Sequence, residues 1–192
     1  VDSIKRLANE FSNFARMPTA EFRPCDLNVL ISDAIQPYAE SHTDIVFQFI
    51  ADSRMPEVRI DAEQIRRVLI NLIENAVDAF SRENSGSSLA EGRRIVIKTA
   101  YDRRRKLAGF EVGDNGPGVR EVDKLRIFEP YFTTKKRGTG LGLAVVTSII
   151  SDHHGDIRVY DNAPRGAKFI VELPASPKES SLEGPRRRFA AV

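Results

Sequence analysis

Asp61-Ala-Glu-Gln-Ile-Arg-Arg-Val-Leu-Ile-Asn71-Leu-Ile-Glu-Asn75-Ala-Val-Asp78-Ala-Phe80 carries an apolar and a polar pattern at the same helical period. At about 100° per residue, Ile65, Val68, Leu69, Leu72, Ile73, Ala76 and Phe80 fall on one side of a helix. Asn71, Glu74, Asn75 and Asp78 fall on the other. Asp61, with Gln64 following, has the form of a capping box, so a helix is predicted from there to about Phe80. An apolar stripe this long has to be buried against another layer. The polar side admits two readings. It fits a solvated face, but Asn is a poor helix former, and two of them a turn apart serve solubility less well than Lys or Glu would. It also fits hard-cation coordination, in which Mg²⁺ takes one or two protein oxygens and completes its shell with water and phosphate.

Outward from this helix, strands and helices alternate. Residues 28–40 place Leu30, Ile31, Ala34, Ile35 and Tyr38 on one helical face, with Asn28 as the expected cap. Ile45–Ile50 and Glu57–Ile60 read as strands. Beyond a Ser-, Gly- and Asn-rich loop at 81–92, strands are predicted at 94–101 and 108–113, joined by the charged turn 102–106. Residues 115–140 hold many glycines and few periodic apolar positions. A loop of roughly 25 residues in a compact domain is normally a lid or a binding loop. A helix from Leu141 to about His153 and strands at 156–161 and 167–173 complete an α/β unit, expected to be a two-layer α/β sandwich.

The flanks read differently. Ile4, Leu7, Phe11 and Phe14 are spaced as the seam of a helix that packs on others, either a second copy of the chain or its own domain. Pro18 and Pro24 then end helical structure. From Pro174 the composition turns to Pro, Ser, Glu and Arg, as in a disordered tail. The expected organisation is an N-terminal helical segment over residues 1–20, a globular domain over 21–174 and a tail over 175–192. Because Val1-Asp2-Ser3 opens directly into a helical pattern, the chain reads as part of something longer.

Composition excludes some classes. A hydrophobic fraction of 41% with 29% charged residues argues against wholesale disorder. The net charge is only +2 and the basic residues are interleaved with acids, which disfavours nucleic acid as a partner. Cys25 is the single cysteine, so an intramolecular disulfide is excluded and a reducing compartment fits. No apolar run approaches the roughly 20 residues that cross a bilayer.

Two further constellations carry chemistry. In Phe110-Glu-Val112-Gly-Asp114, period two turns Asp114 towards the core with Phe110 and Val112. A carboxyl there is costly unless donors satisfy it, and the exocyclic amine of a base is one such donor. The glycines of Asn115-Gly116-Pro117-Gly118 permit close approach of a flat ligand, though a bare Asp-Asn-Gly also suits an ordinary β-turn. Lys135-Lys-Arg-Gly138-Thr139-Gly140-Leu141-Gly142-Leu143 runs into a helix and combines glycines, cations and a helix N-terminus, the elements of a phosphate cradle. It is neither a Walker A loop nor a dinucleotide fingerprint.

Taken together, these pieces resemble the sensor histidine kinases of two-component systems. Asn71-Leu-Ile-Glu-Asn75-Ala-Val-Asp78-Ala is similar to their N box, and Asp114-Asn-Gly-Pro-Gly118 to the G1 box. Phe128-Glu-Pro-Tyr-Phe132 is similar to the F box and Gly138-Thr-Gly-Leu-Gly-Leu143 to the G2 box. The wording around Asn71–Ala79, Phe128–Lys135 and Phe14–Pro18 looks most like the nitrogen-regulation kinases of NtrY/NtrB type. The resemblance implies the Bergerat ATP-binding fold, with ATP and Mg²⁺ as cofactors. It implies that Asn75 coordinates Mg²⁺ and Asp114 binds the adenine amino group, with Gly116 and Gly118 shaping the base pocket. Asn71 and Asp78 would lie nearby, Asn71 and Asn75 serving catalysis. Lys135, Gly138, Thr139, Gly140, Leu141 and Gly142 would contact or cover the phosphates, residues 115–140 forming the lid with Phe128 and Phe132 as its anchors. Implied partners are the receiver domain of a response regulator and a second copy of the kinase, held through the N-terminal helix. The implied setting is a cytoplasmic domain of a protein anchored in the bacterial inner membrane.

Three departures from the family pattern stand out. No phosphoacceptor His-Glu or His-Asp pair followed by proline occurs, so the acceptor is expected upstream of Val1, and this chain should bind ATP without phosphorylating itself. Gly166-Ala167 replaces a common Gly-Thr whose hydroxyl helps hold adenine. Asp78 stands where many kinases carry a basic residue. The same fold serves ATPases such as gyrase B, MutL and Hsp90, which place a water-activating Glu where this chain has Asn71, so phosphoryl transfer is favoured over hydrolysis. A non-catalytic docking module is the third reading.

Overall fold

Residues 19–81, 92–135 and 138–175 are described by a computed structural model. The helix expected over residues 1–17, nearly all of the 81–92 loop and the tail beyond Ala175 lie outside them. β1 (Arg23–Cys25) pairs antiparallel with β3 (Val58–Ile60), and α1 (Leu27–Ser41) and β2 (Ile45–Ile50) lie between them in the chain. Next come α2 (Ala62–Ser81), β4 (Arg93–Asp102), β5 (Leu107–Asp114), a single turn α3 (Glu121–Lys124) and α4 (Gly142–Asp152). β6 (Asp156–Asp161) and β7 (Ala167–Pro174) complete the described elements.

Five strands form a mixed sheet in the order β2-β4-β5-β7-β6, in which only the β2–β4 pairing is parallel. Alternation decides its faces. Ile95, Ile97 and Thr99 of β4 point inward, as do Phe110 and Val112 of β5 and Phe169, Val171 and Leu173 of β7. The other face carries ion pairs such as Lys98–Glu111 and Arg158–Glu172. α1, α2 and α4 cover the apolar face, and α2 packs against both other helices. The two-layer α/β sandwich is therefore the observed fold. Leu69, Leu72, Ile73 and Phe80 of α2 are fully buried at its centre.

Among the described residues local expectations hold with three exceptions, one of them the single turn α3 inside the loop expected over 115–140. The cap of α1 is Asp26, not Asn28: Asp26 Oδ1 accepts from the amides of Asn28 and Val29 at 2.8 and 3.2 Å. Asn28 is drawn away by a partner distant in sequence. Its Oδ1 accepts from Thr99 Oγ1 at 2.7 Å, and its Nδ2 donates to the Asp52 carbonyl at 3.1 Å. The remaining exception is β1, a strand containing Pro24, which is tolerated because it lies in a two-stranded edge pair.

Asp61 caps α2 as expected, its Oδ1 accepting from the Gln64 amide at 3.0 Å and its Oδ2 from the Glu21 amide at 2.9 Å. The Asp61 amide donates to Nε2 of His153 at 3.0 Å, and Nδ1 of His153 donates to the Ile149 carbonyl at 2.8 Å. One buried imidazole thus ties the start of α2 to the end of α4, with Phe22 packed edge-on at 5.0 Å.

That arrangement requires the neutral ring, and burial accordingly lowers the His153 pKa below its ordinary value. Between the folded pKa and about 6.5 the unfolded chain binds more protons, so stability rises with pH through that window and is lost below it. Urea titrations from pH 7.5 to 5 should show this loss with a slope no steeper than about 1.4 kcal/mol per pH unit. The slope should shrink in His153→Gln; an unchanged slope would assign it to other groups.

Candidate functional site

Asp114 ends the central strand and is 4% exposed, as its inward phase requires. Its Oδ1 accepts from the Gly116 amide at 2.8 Å and the Ala167 amide at 3.4 Å. Its carbonyl accepts from Asn162 Nδ2 at 2.8 Å. Asn115 extends the strand pairing, its amide donating to the Arg94 carbonyl and its Oδ1 accepting from the Arg94 amide. The carboxyl group is therefore held by backbone contributed from both sides of the sheet end.

Glycines let the chain close around it. At Gly116 a Cβ would lie 2.9 Å from Asp114 Oδ1 and 3.2 Å from the Ala79 Cβ, so this turn rests on the last turn of α2. Gly166 adopts φ +115°, and a Cβ there would sit 1.9 Å from the Asp114 carbonyl oxygen. Sequence reading treated Gly166 only as the neighbour of a missing hydroxyl. Its indispensable role is steric, and the β6–β7 pairing on either side of it is what reveals this. Ala167 keeps a contact to Asp114 through its amide, whatever side chain it carries.

The polar side of α2 divides in three. Asn75 and Asp78 are brought together by Lys135, whose Nζ donates to Asn75 Oδ1 at 2.7 Å and Asp78 Oδ2 at 2.5 Å. This half-exposed ion pair contributes on the order of 0–1 kcal/mol. Asn71 lies one turn earlier, its Nδ2 donating to the Arg67 carbonyl at 2.8 Å. Its Oδ1 faces the start of α4, where a Cβ on Gly142 would come within 2.7 Å of it. Glu74 turns the other way and accepts from the Tyr38 hydroxyl at 3.1 Å. Burial first, and the neighbouring Glu74 carboxylate second, push the Tyr38 phenol up to about 12. Glu74 therefore stands apart from the Asn75–Asp78 pair, although both share one side of the helix.

The described residues between Gly118 and Leu141 are tied to the core, to α2 and to one another. Phe128 packs edge-on against Phe169 of the core at 6.4 Å, and the Arg126 guanidinium lies 4.7 Å from the centre of the Phe132 ring. Tyr131, itself at φ +67°, donates its amide to the Gly140 carbonyl at 2.9 Å. Gly140 has φ +72°, and a Cβ on it would reach 2.4 Å from the Tyr131 backbone. Thr133 Oγ1 accepts from the Lys135 amide at 3.0 Å, turning Lys135 towards α2. Gly138 fits closely here, since a Cβ would lie 2.6 Å from that hydroxyl. The Thr139 hydroxyl accepts from the amide of Leu141, which is buried and begins α4 without a side-chain cap. First-turn amides left without such a cap suit an anion.

The structure thus brings Asp114 and Gly116 to the candidate cleft against Ala79, with Gly118 against Gly166. It brings Asn71, Asn75, Asp78, Lys135 and the Gly138–Gly142 turn together along the polar side of α2, from Asp78 next to Ala79 to Asn71 about two helical turns before it. Two oxygens already holding an ammonium are a donor set of the kind Mg²⁺ takes, so the residues present fit that ion. Each of the three histidines serves the scaffold or lies away from this cleft. His153 bridges α2 and α4, His42 ends α1 and His154 forms the left-handed turn after α4.

Comparison with known proteins gives the family and agrees with the fold. The family described as histidine kinase-, DNA gyrase B- and HSP90-like ATPase matches residues 60–177. Sensor histidine kinase ZraS of Escherichia coli O157:H7 is 31% identical over 95% of the chain and 38% of its own length. Nitrogen regulation protein NtrY of Azorhizobium caulinodans is 33% identical over 97% of the chain and 23% of its own. The chain thus spans well under half the length of these curated relatives. Among solved structures, the catalytic domain of histidine kinase ThkA superposes with a TM-score of 0.69 at 34% identity, covering 82% of this chain and 97% of that one. ThkA in complex with response regulator protein TrrA gives 0.75 at 29%, over 93% of this chain and 49% of that one. Full-length ShkA in complex with AMPPNP gives 0.73 at 27%, over 90% and 36%. The chain belongs to the histidine kinase-, gyrase B- and HSP90-like ATPase family, as a sensor-histidine-kinase catalytic domain.

Proposed function

We propose that this domain binds Mg·ATP across the cleft and transfers the γ-phosphoryl group to a histidine on a separate helical hairpin. From there the group would pass to an aspartate in the receiver domain of a response regulator. The observation that carries this reading is the pairing of a buried, amide-held Asp114 with an oxygen-and-ammonium cluster on the adjoining turns of α2. Asp114 would accept from the exocyclic amine of adenine, while Gly116 and Gly118 leave room for the ring. Asn75, with Asp78 beside it, would hold Mg²⁺, which when bound neutralises charge on the phosphate oxygens. Lys135 and the first-turn amides of α4 would hold the phosphates, and Asn71 would steady Gly142 beneath them. The chain's own contribution to catalysis is positioning and charge stabilisation.

The whole kinase is proposed to dimerise through the helix of residues 1–20, with residues 21–174 as the catalytic unit and 175–192 as a tail. Anchoring in the inner membrane would come from segments other than the described ones, where no helix is long and apolar enough to cross a membrane. Similarity to NtrY supports a nitrogen-regulation role. Hydrolysis is the second reading, and Asn71 disfavours it, because an amide already bonded to Arg67 and packed on Gly142 is no base for water.

Calorimetry with AMPPNP tests the base contact. Asp114→Asn should weaken binding about 10–100-fold, matching the ~1–3 kcal/mol cost of mispairing a buried polar group. Unchanged affinity would remove Asp114 from base recognition. Asn75→Ala should bring the affinities measured with Mg²⁺ and with EDTA close together, and a preserved difference would place the metal elsewhere. With labelled ATP, the chain alone should acquire no label yet transfer it to an added helical hairpin bearing an acceptor histidine. Sustained phosphate release that depends on Asn75 would instead favour an ATPase.

A further inference from the structure

We propose that Asp78 is a latch for the lid: with Asn75 it holds the Lys135 ammonium on the oxygens that the divalent cation takes, so that cation and ammonium exchange places when nucleotide arrives. This deepens the reading of the site given above and rests on it.

Three observations lead to it. The first is the ammonium's position, 2.7 Å from Asn75 Oδ1 and 2.5 Å from Asp78 Oδ2. An ammonium donates to such oxygens at hydrogen-bond distance, whereas Mg²⁺ binds them at about 2.0–2.1 Å. Two cations on the same two oxygens would repel at close range, which favours one at a time. The second is the identity of residue 78. A basic side chain there would repel Lys135; Asp78 attracts it and forms an ion pair across 57 residues of sequence. The third is the way the lid is tied. Tyr131 and Gly140 fix its base through a backbone hydrogen bond, while Phe128 anchors it to the core. Lys135 reaches α2 from a turn made by Thr133 Oγ1 and Gly138. Its side chain can therefore swing from Asp78 to a phosphate while the base of the lid stays attached.

In this device the nucleotide-free cleft keeps its own counter-ion. The oxygens of Asn75 and Asp78 stay satisfied, and the lid rests on α2. On nucleotide binding the Lys135 ammonium would turn to the phosphates, leaving Asn75 and Asp78 free to hold Mg²⁺, which would neutralise phosphate charge there. Asp78 acts through Lys135 and is a positioning residue.

Zero-length carbodiimide cross-linking of the full chain reads the pair directly, by mass spectrometry of the joined peptides containing residues 78 and 135. The cross-link should form without nucleotide and be absent in Asp78→Asn. Mg·AMPPNP at ten times its Kd should cut the yield to about a tenth, the share of protein left unbound. Metal-free AMPPNP at equal occupancy should leave most of it. Amide hydrogen exchange over residues 128–135 should quicken in Asp78→Asn, and that effect should vanish when Lys135→Gln is already present. A cross-link that persists while calorimetry shows nucleotide bound overturns the latch and spares the functional reading. Equal loss with metal-free nucleotide overturns the cation exchange. Absence of any nucleotide binding overturns the functional reading and the latch with it.

Discussion

A carboxyl group buried at the end of the central strand is the constraint around which this cleft is organised. Left unsatisfied, Asp114 would cost several kcal/mol. Two of its partners are amides, so the backbone itself must be brought to it: Gly116 from the following turn and Ala167 from the start of β7. Those amides reach it only where the intervening residues carry no Cβ. Gly166 is the extreme case, since any side chain would overlap the Asp114 carbonyl oxygen. One polar group in the core thus dictates the β5 end, the β6–β7 turn and the seating of the next turn on Ala79.

The second organising element is α2, which serves two environments by periodicity alone. Its buried face joins α1, α4 and the sheet, while the opposite side supplies Asn71, Asn75 and Asp78 to the cleft. Because the helix is clamped at its start by Asp61 and His153 and buried along its length, these oxygens stand on a rigid support. The lid is built the other way. It is held to the domain by Phe128 and by the Tyr131–Gly140 backbone contact, and it reaches the cleft through the long side chain of Lys135. A fixed set of oxygens facing a swinging cation suits a site that must alternate between empty and loaded states.

Much of this was legible in the chain. The apolar spacing of Ile65 to Phe80 and the alternation in β4, β5 and β7 follow from geometry internal to each element, and so does the inward phase of Asp114. What sequence reading mistook were side chains claimed by partners far along the chain. Asn28 looks like a cap, but Thr99 and Asp52 engage it, and Asp26 caps instead. Glu74 shares a helix side with Asn75, as its spacing predicts, and what the spacing could not give is its partner, Tyr38 of α1. β1 was invisible because a three-residue strand containing proline has no periodicity to detect, and only β3 beside it makes it a strand.

The sequence by itself determined the layered α/β fold, the polar stripe on α2 and the glycine turns, because each rests on spacing and on the conformations a residue type allows. Only the tertiary structure decided that Lys135 meets Asn75 and Asp78, that Gly166 must be glycine and that His153 joins two helices. The reason is physical: those contacts link residues separated by 57, 52 and 92 positions, and no local rule says which of many distant partners a donor or a Cβ will meet.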